Sequence, residues 1–303
     1  EDAERLIRQL YTDAHIDALI IQDMGITKLN LPPIPLHAST QVDNRDVDKV
    51  KFLEQAGFDQ VVLARELTME EIHKIASQTA VKLEVFVHGA LCVCYSGQCY
   101  LSEALSGRSA NKGSCAQYCR LPYTLVDSEG ESFVGKKHLL SMKDLNLSEN
   151  LEELIDAGVS SLKIEGRLKD VSYVKNVVAY YRKRLDDILS RRPEYLKASS
   201  GHSHYTFAPD LNKSFNRGFT KYFFDGRIKN IWSVDSPKSI GEPIGKVTDI
   251  TTRFFKINTA QKINNGDGLC YFNARKELEG VHVNRVEGDH IIPANMPELR
   301  RGT

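Results

Sequence analysis

The first half of the chain alternates two hydrophobic periods. Residues 2–12 carry a helical pattern, and residues 17–21 (DALII) read as a buried parallel strand. A second short strand runs into His37, Ala38, Ser39, Thr40 and Gln41. Residues 45–56 form the next helical stretch, with Gly57 as its stop. Residues 60–64 (QVVLA) are a third strand. Thr68 with Glu71 three residues on is a capping-box pattern that starts another helix. Residues 83–87 (LEVFV) are a fourth strand, leading into a cysteine-rich segment.

Beyond the cysteines, residues 123–126 suit a hairpin arm, and residues 149–157 a helix stopped by Gly158. Residues 161–164 (SLKI) are a fifth core strand. Apolar positions at Val174, Val177, Val178, Tyr181, Leu185 and Ile188 predict one buried face of a long helix ending at Pro193. Residues 194–235 lose periodicity and gain Ser, Asn, His and aromatics. From about residue 236 short strands alternate with turns such as Asn264 to Gly268.

Repeated strand–helix units imply an α/β fold with a parallel sheet. Five strands fall short of the eight that a closed (β/α) TIM-type barrel needs. The first part is therefore an open sheet, or a barrel that is N-terminally incomplete in this chain. The expected organisation is a partial α/β barrel over residues 1–190 with a cysteine insertion at 92–120. A connector over 191–235 and a small β-rich domain over 236–303 follow.

Composition narrows the setting. The 303 residues carry 40 basic and 40 acidic side chains, which excludes a globally basic nucleic-acid coat but not a local basic site. No apolar run is long enough to span a bilayer, and no signal-peptide pattern opens the chain. The first residue is Glu1 and not Met, as in a trimmed chain. A cytoplasmic location is the expectation.

Each expected strand ends in polar groups, where parallel α/β folds gather chemistry. Gln22 and Asp23 follow the first strand, and His37, Ser39, Thr40 and Gln41 the second. Arg65 and Glu66 follow the third, His88 and Cys92 the fourth, and Lys163, Glu165 and Arg167 the fifth. Caps and ion pairs are the competing reading for any one of them. No Gly-rich nucleotide loop and no His-Glu-x-x-His helix is present.

Five of six cysteines crowd between Cys92 and Cys119, and a core position is expected for Cys270. The spacing Cys92-x6-Cys99-x15-Cys115-x3-Cys119 gives four thiolates that suit an iron–sulfur cluster or a structural zinc. Cys94 is a spare ligand or a small buried side chain. Arg108, Lys112 and Arg120 bring positive charge beside the thiols.

These residues resemble a family. The run from Glu84 to Cys92 (EVFVHGALC), with Ser96-Gly97-Gln98-Cys99 and Ser102, is similar to the signature of the collagenase-like peptidases of unknown catalytic type. Gly107 to Asn111, Cys115 to Arg120, Lys163 to Arg167 (KIEGR) and Phe215 to Gly218 (FNRG) continue the match. Residues 121–125 (LPYTL), 138–144 (HLLSMKD) and 235–238 (DSPK) most resemble the members that form 5-hydroxycytidine in large-subunit (23S) ribosomal RNA.

The resemblance implies a barrel lacking about three strands here, a continuation past Thr303, and a 4Fe-4S cluster on Cys92, Cys99, Cys115 and Cys119. Cys94 replaces the family's usual small polar residue. The resemblance further implies ribosomal RNA or its precursor as partner, and prephenate as hydroxyl donor. Hydroxylation of a pyrimidine at C5 needs the base out of its stack. On that reading Glu66, His88 and Glu165 are the candidate proton carriers. His37, Gln41, Arg65, Lys163 and Arg167 are the substrate-binding candidates, the cations facing an anionic donor. Residues 204–227 could hold RNA by stacking, or pack Phe207, Phe215, Phe219 and Phe223 as a connector. A collagenase-like peptidase and a zinc-stabilised RNA-binding protein are the alternatives.

Overall fold

The computed structural model describes residues 2–198 and 200–303. In chain order the elements are α1 (Asp2–Asp13), β1 (Leu19–Ile21), β2 (Leu36–Ala38), α2 (Val47–Gln55), β3 (Gln60–Val62), α3 (Met69–Ala76), β4 (Lys82–Ala90) and α4 (Leu101–Ser106). Then come β5 (Tyr123–Val126), β6 (Ser132–Lys137), β7 (Asp144–Asn146), α5 (Leu151–Asp156), β8 (Ser161–Ile164), α6 (Val171–Arg191) and β9 (Phe219–Thr220). The last five strands are β10 (Lys246–Ile250), β11 (Phe255–Asn258), β12 (Gly268–Phe272), β13 (Leu278–Glu287) and β14 (His290–Pro293).

The chain is mixed α/β, with a largely parallel sheet in one compact unit and an antiparallel β-rich region in another. The units interleave along the sequence instead of meeting at single boundaries near 190 and 235. The first comprises residues 1–119, 142–209 and 219–231; the second comprises 120–141, 210–218 and 232–303.

In the first unit, strands β1, β2, β3 and β4 pair in sequence order and in parallel. β8 joins β4 in parallel. Local signals set the helices between them. Asp46 caps α2 by accepting from Lys49 N, Thr68 and Glu71 form the expected capping box on α3, and Asp170 caps α6. β3 is buried throughout, as is β4 from Leu83 to Gly89, which suits strands covered on both faces. Strand β4 is long enough to branch. Its end, from His88 to Ala90, pairs antiparallel with β7, and β7 pairs in parallel with β9. Neither β7 (DLN) nor β9 (FT) was expected, because each carries a single apolar residue and no readable period.

The buried face of α6 is rotated from the expected stripe. Tyr173, Val177, Tyr181 and Ile188 are buried, whereas Val174 and Val178 are exposed. The tyrosines face inward because the sheet offers acceptors: Tyr181 Oη donates to Val87 O at 2.8 Å and Tyr173 Oη to Glu165 O at 3.2 Å.

In the second unit, β5 and β6 make a hairpin, and the sheet order is β10-β11-β14-β13-β12. Val247, Phe255, Val281, Val283 and Ile291 form its core. Cys270 is exposed and not in the core as expected. Strand β12 alternates, so Leu269 and Tyr271 turn inward while Cys270 and Phe272 turn out. Among the described residues no helix is long and apolar enough to cross a membrane.

Candidate functional site

The polar ends of β2, β3, β4 and β8 sort into two groups and one isolated residue. The first group lies within the sheet. Glu84 on β4 accepts from Gln60 Nε2 at 3.0 Å, Ser161 Oγ at 2.6 Å and Lys163 Nζ at 2.7 Å. Period two along each strand puts these side chains on one face. Burial lowers the pKa of His37, with Glu84 opposing it most, so His37 belongs to this group. Lys163 is thus already neutralised by a carboxylate.

The second group centres on Arg65. The Arg65 guanidinium lies 3.7 Å from the Phe86 ring centroid, and its Nη2 is 3.7 Å from Glu165 Oε2. Burial lowers the Arg65 pKa, while Glu165, Cys92, Glu66 and Tyr222 raise it in that order. These five side chains therefore share one electrostatic neighbourhood. Glu66 is buried; its Oε1 accepts from Ser96 N at 2.9 Å, and its Oε2 is buried without a hydrogen-bond partner. Burial, and after it Glu66, pushes the Tyr222 phenol up to about 12.

His88 stands apart. It is 2% exposed and its ring lies among Tyr173, Tyr181 and Phe219, with centroids 5.5 to 6.1 Å away. Burial pulls its pKa down to about 4, so the imidazole is neutral at pH 7. Its Nδ1 lies 3.3 Å from Tyr181 Oη, and the enclosure holds the end of β4. Next to it Gly89 has φ +107°, and a Cβ there would collide with the Glu165 carbonyl. The Gly is needed for β4 and the β8 end to approach this closely.

The cysteine segment is knitted to the strand ends. Gln41 Nε2 donates to Gly97 O at 3.2 Å and to Asn111 Oδ1 at 3.4 Å, and Gln98 Nε2 donates to Gln41 O at 2.7 Å. Asn111 Oδ1 also accepts from Cys99 N at 3.0 Å. Farther along, Ser102 Oγ accepts from Ala116 N at 3.0 Å and Arg108 Nε donates to Ser114 O at 3.2 Å. A Cβ on Gly113 would meet Arg167 Nη1 at 3.3 Å, so that exposed arginine lies along the loop backbone.

The thiols feel one another. Burial raises the Cys92 pKa, and Cys99 and Cys115 raise it further. Burial, followed by a hydrogen bond with Cys99 and the fields of Cys92, Cys99 and Cys119, pushes Cys94 up to about 12. Five neighbouring thiols beside a buried guanidinium are donor chemistry that fits a thiolate-bound metal group. Among the described residues no three His, Cys, Asp or Glu side chains close to metal-holding geometry.

Of the residues expected at the site, Gln41, Arg65, Glu66, Glu165 and Arg167 gather around the cysteine segment. His37 and Lys163 lie in the Glu84 network, and His88 in its aromatic enclosure. Sequence reasoning missed Glu84, although a lone acid inside the apolar run LEVFV is a readable signal. It also gave no role to Asn111, whose amide oxygen bridges two parts of the loop.

Residues 1–233 match the model of peptidase family U32. The chain is 52% identical over 302 residues to the Escherichia coli (strain K12) protein named 23S rRNA 5-hydroxycytidine C2501 synthase, covering 98% of this chain and 46% of that one. It is 34% identical to the Bacillus subtilis (strain 168) protein named tRNA hydroxylation protein P1, covering 88% of this chain and 65% of that one. It is 31% identical to a Porphyromonas gingivalis protein named collagenase, covering 92% of this chain and 65% of that one. The chain thus spans about half to two-thirds of the length of these relatives. With the family match running over most of the chain, this protein belongs to peptidase family U32.

Proposed function

We propose that the chain is the cysteine-bearing part of an RNA hydroxylase that forms 5-hydroxycytidine in large-subunit ribosomal RNA. The observation that carries this is the 52% identity along 98% of the chain to a protein named for that product. The relatives named for transfer RNA hydroxylation support the broader class, hydroxylation of an RNA base. On this reading the arc of β1 to β4 with β8 belongs to a (β/α) TIM-type barrel, and the protein works in the cytoplasm, where its RNA is.

Cys92, Cys99, Cys115 and Cys119 would hold an iron–sulfur cluster of the 4Fe-4S type. When bound, such a cluster would supply electron-transfer chemistry beside the strand ends. The chain's own residues then divide the work. Arg65, set on Phe86, and Arg167, on the loop backbone, orient an anionic hydroxyl donor, with prephenate as the compound proposed. Glu66 has an unspent acceptor at Oε2 and is the residue to take a proton from the base, with Glu165 as the second carboxylate at the site. Gln41 and Asn111 fix the loop that carries the thiols.

Mass spectrometry of large-subunit ribosomal RNA from a strain lacking the full-length protein tests the reading. Hydroxycytidine should disappear and return on complementation; an unchanged level sinks it. The relative named collagenase favours a second reading, a peptidase. That reading requires hydrolysis of gelatin by full-length protein with unaltered ribosomal RNA. Colourless protein with stoichiometric zinc would instead favour a zinc-stabilised RNA-binding role.

A further inference from the structure

The cysteine segment contains a strained turn that the proposed chemistry does not use. Ser96 has φ 51° and ψ 22°, and Gly97 follows with φ 70°. A left-handed serine is disfavoured and persists only where its surroundings over-determine it. They do so here. Ser96 is 2% exposed, its Oγ donates to Thr40 O at 2.6 Å, and its amide donates to Glu66. Gln41 holds the Gly97 carbonyl.

What this turn presents is Tyr95, a ring left 49% exposed. The Arg45 guanidinium lies 4.5 Å from its centroid, and Arg227 Nη2 donates to its hydroxyl at 3.0 Å. Arg227 lies 4.0 Å over Phe223, which stacks on Tyr222 at 3.9 Å and 21°. Guanidiniums and aromatic rings thus alternate from Arg45 to Phe223, with Tyr222 stacked beyond. Two carboxylates temper the charge: Asp43 pairs with Arg45, and Glu71 acts on Arg227. Among the described residues Arg227 has no carboxylate at ion-pair distance, so its charge is available.

We propose that Tyr95, flanked by Arg45 and Arg227, is a stacking platform for an unpaired base of single-stranded RNA, with the arginines meeting the adjoining phosphates. This rests on the RNA-hydroxylase reading and adds where the strand lies. A half-exposed ring offers a surface on which a base can stack, and the flanking cations favour a partner that is anionic along its backbone. The rigid turn means that little order has to be gained on binding. The platform follows Cys94 directly in the sequence, within the cysteine segment.

The test measures binding of a labelled single-stranded oligoribonucleotide of about 12 nucleotides to the full chain by fluorescence anisotropy. Tyr95→Ala should weaken binding about ten-fold, and Tyr95→Phe, which keeps the ring, less than about three-fold. Arg227→Ala should lower the slope of log affinity against log salt by about 1. A duplex of the same sequence should bind weakly and be indifferent to Tyr95→Ala. Binding by wild type that Tyr95→Ala leaves unchanged overturns the platform alone. Wild type that binds no single-stranded RNA overturns the platform, and loss of hydroxycytidine in the deletion strain would still uphold the hydroxylase.

Discussion

Lys163 Nζ and Glu84 Oε1 lie 2.7 Å apart, joining neighbouring strands β8 and β4. Gln60 on β3 and Ser161 on β8 donate to the other oxygen of the same carboxylate. One buried acid therefore ties three parallel strands. Glu84→Ala leaves an ammonium and two other donors without their acceptor, and should cost about 3 kcal/mol in urea unfolding. Glu84→Ala with Lys163→Met should cost less than the two single changes added together. Additive effects would show that the pair is not coupled.

The pH dependence of stability should report His88. Its folded pKa is about 4 against an ordinary 6.5. Between those values the unfolded chain binds a proton that the folded chain does not, so stability rises with pH. The contribution is fully present above about pH 6.5 and falls away as pH drops toward 4, by about 3 kcal/mol in all. His88→Phe should flatten this part of the profile, measured by denaturant unfolding at pH 5 and pH 7. An unchanged slope in the variant would assign the effect to other groups.

Gly89 and Gly107 both have positive φ, but their surroundings differ. Nothing lies within 4 Å of a Cβ at Gly107, whereas at Gly89 a Cβ meets the backbone of Glu165. Gly107→Ala should therefore cost only about 1 kcal/mol, the intrinsic left-handed penalty. Gly89→Ala should cost more than about 3 kcal/mol, because strand backbone must move. Thermal unfolding of the two variants compares them directly.

Thiol reactivity should be graded. Cys115 is exposed, while burial raises the pKa of Cys92 and of Cys94. Iodoacetamide near pH 8 should label Cys115 well before Cys92 or Cys94, as read by peptide mass spectrometry.

After anaerobic reconstitution with iron and sulfide, Cys92→Ser, Cys99→Ser, Cys115→Ser and Cys119→Ser should each lose visible absorption. Cys94→Ser and Cys270→Ser should keep it. Loss in Cys94→Ser with retention in one of the four would replace that ligand by Cys94.

Much of the fold was written in local pattern. The capping box at Thr68 and Glu71, the stop at Gly57 and the mainly apolar runs of β3 and β4 are short-range signals, and each appears where the sequence puts it. The interleaved second unit was not legible, since residues 120–141 and 210–218 join it by long-range pairing. Cys270 was misplaced because a strand's period does not say which face is inward.

For the site, the sequence by itself determined the inventory: the thiols, the polar strand ends and the family to which they belong. Only the tertiary structure decided how those groups are spent. It neutralised Lys163 with Glu84, enclosed His88 among aromatic rings and left Glu66, Glu165 and Cys92 acting on Arg65. It also turned Tyr95 outward on a strained turn between two arginines. The physical reason is that composition and spacing fix which groups a strand end carries. Charge, burial and accessibility depend on partners as far away in sequence as Arg227 is from Tyr95.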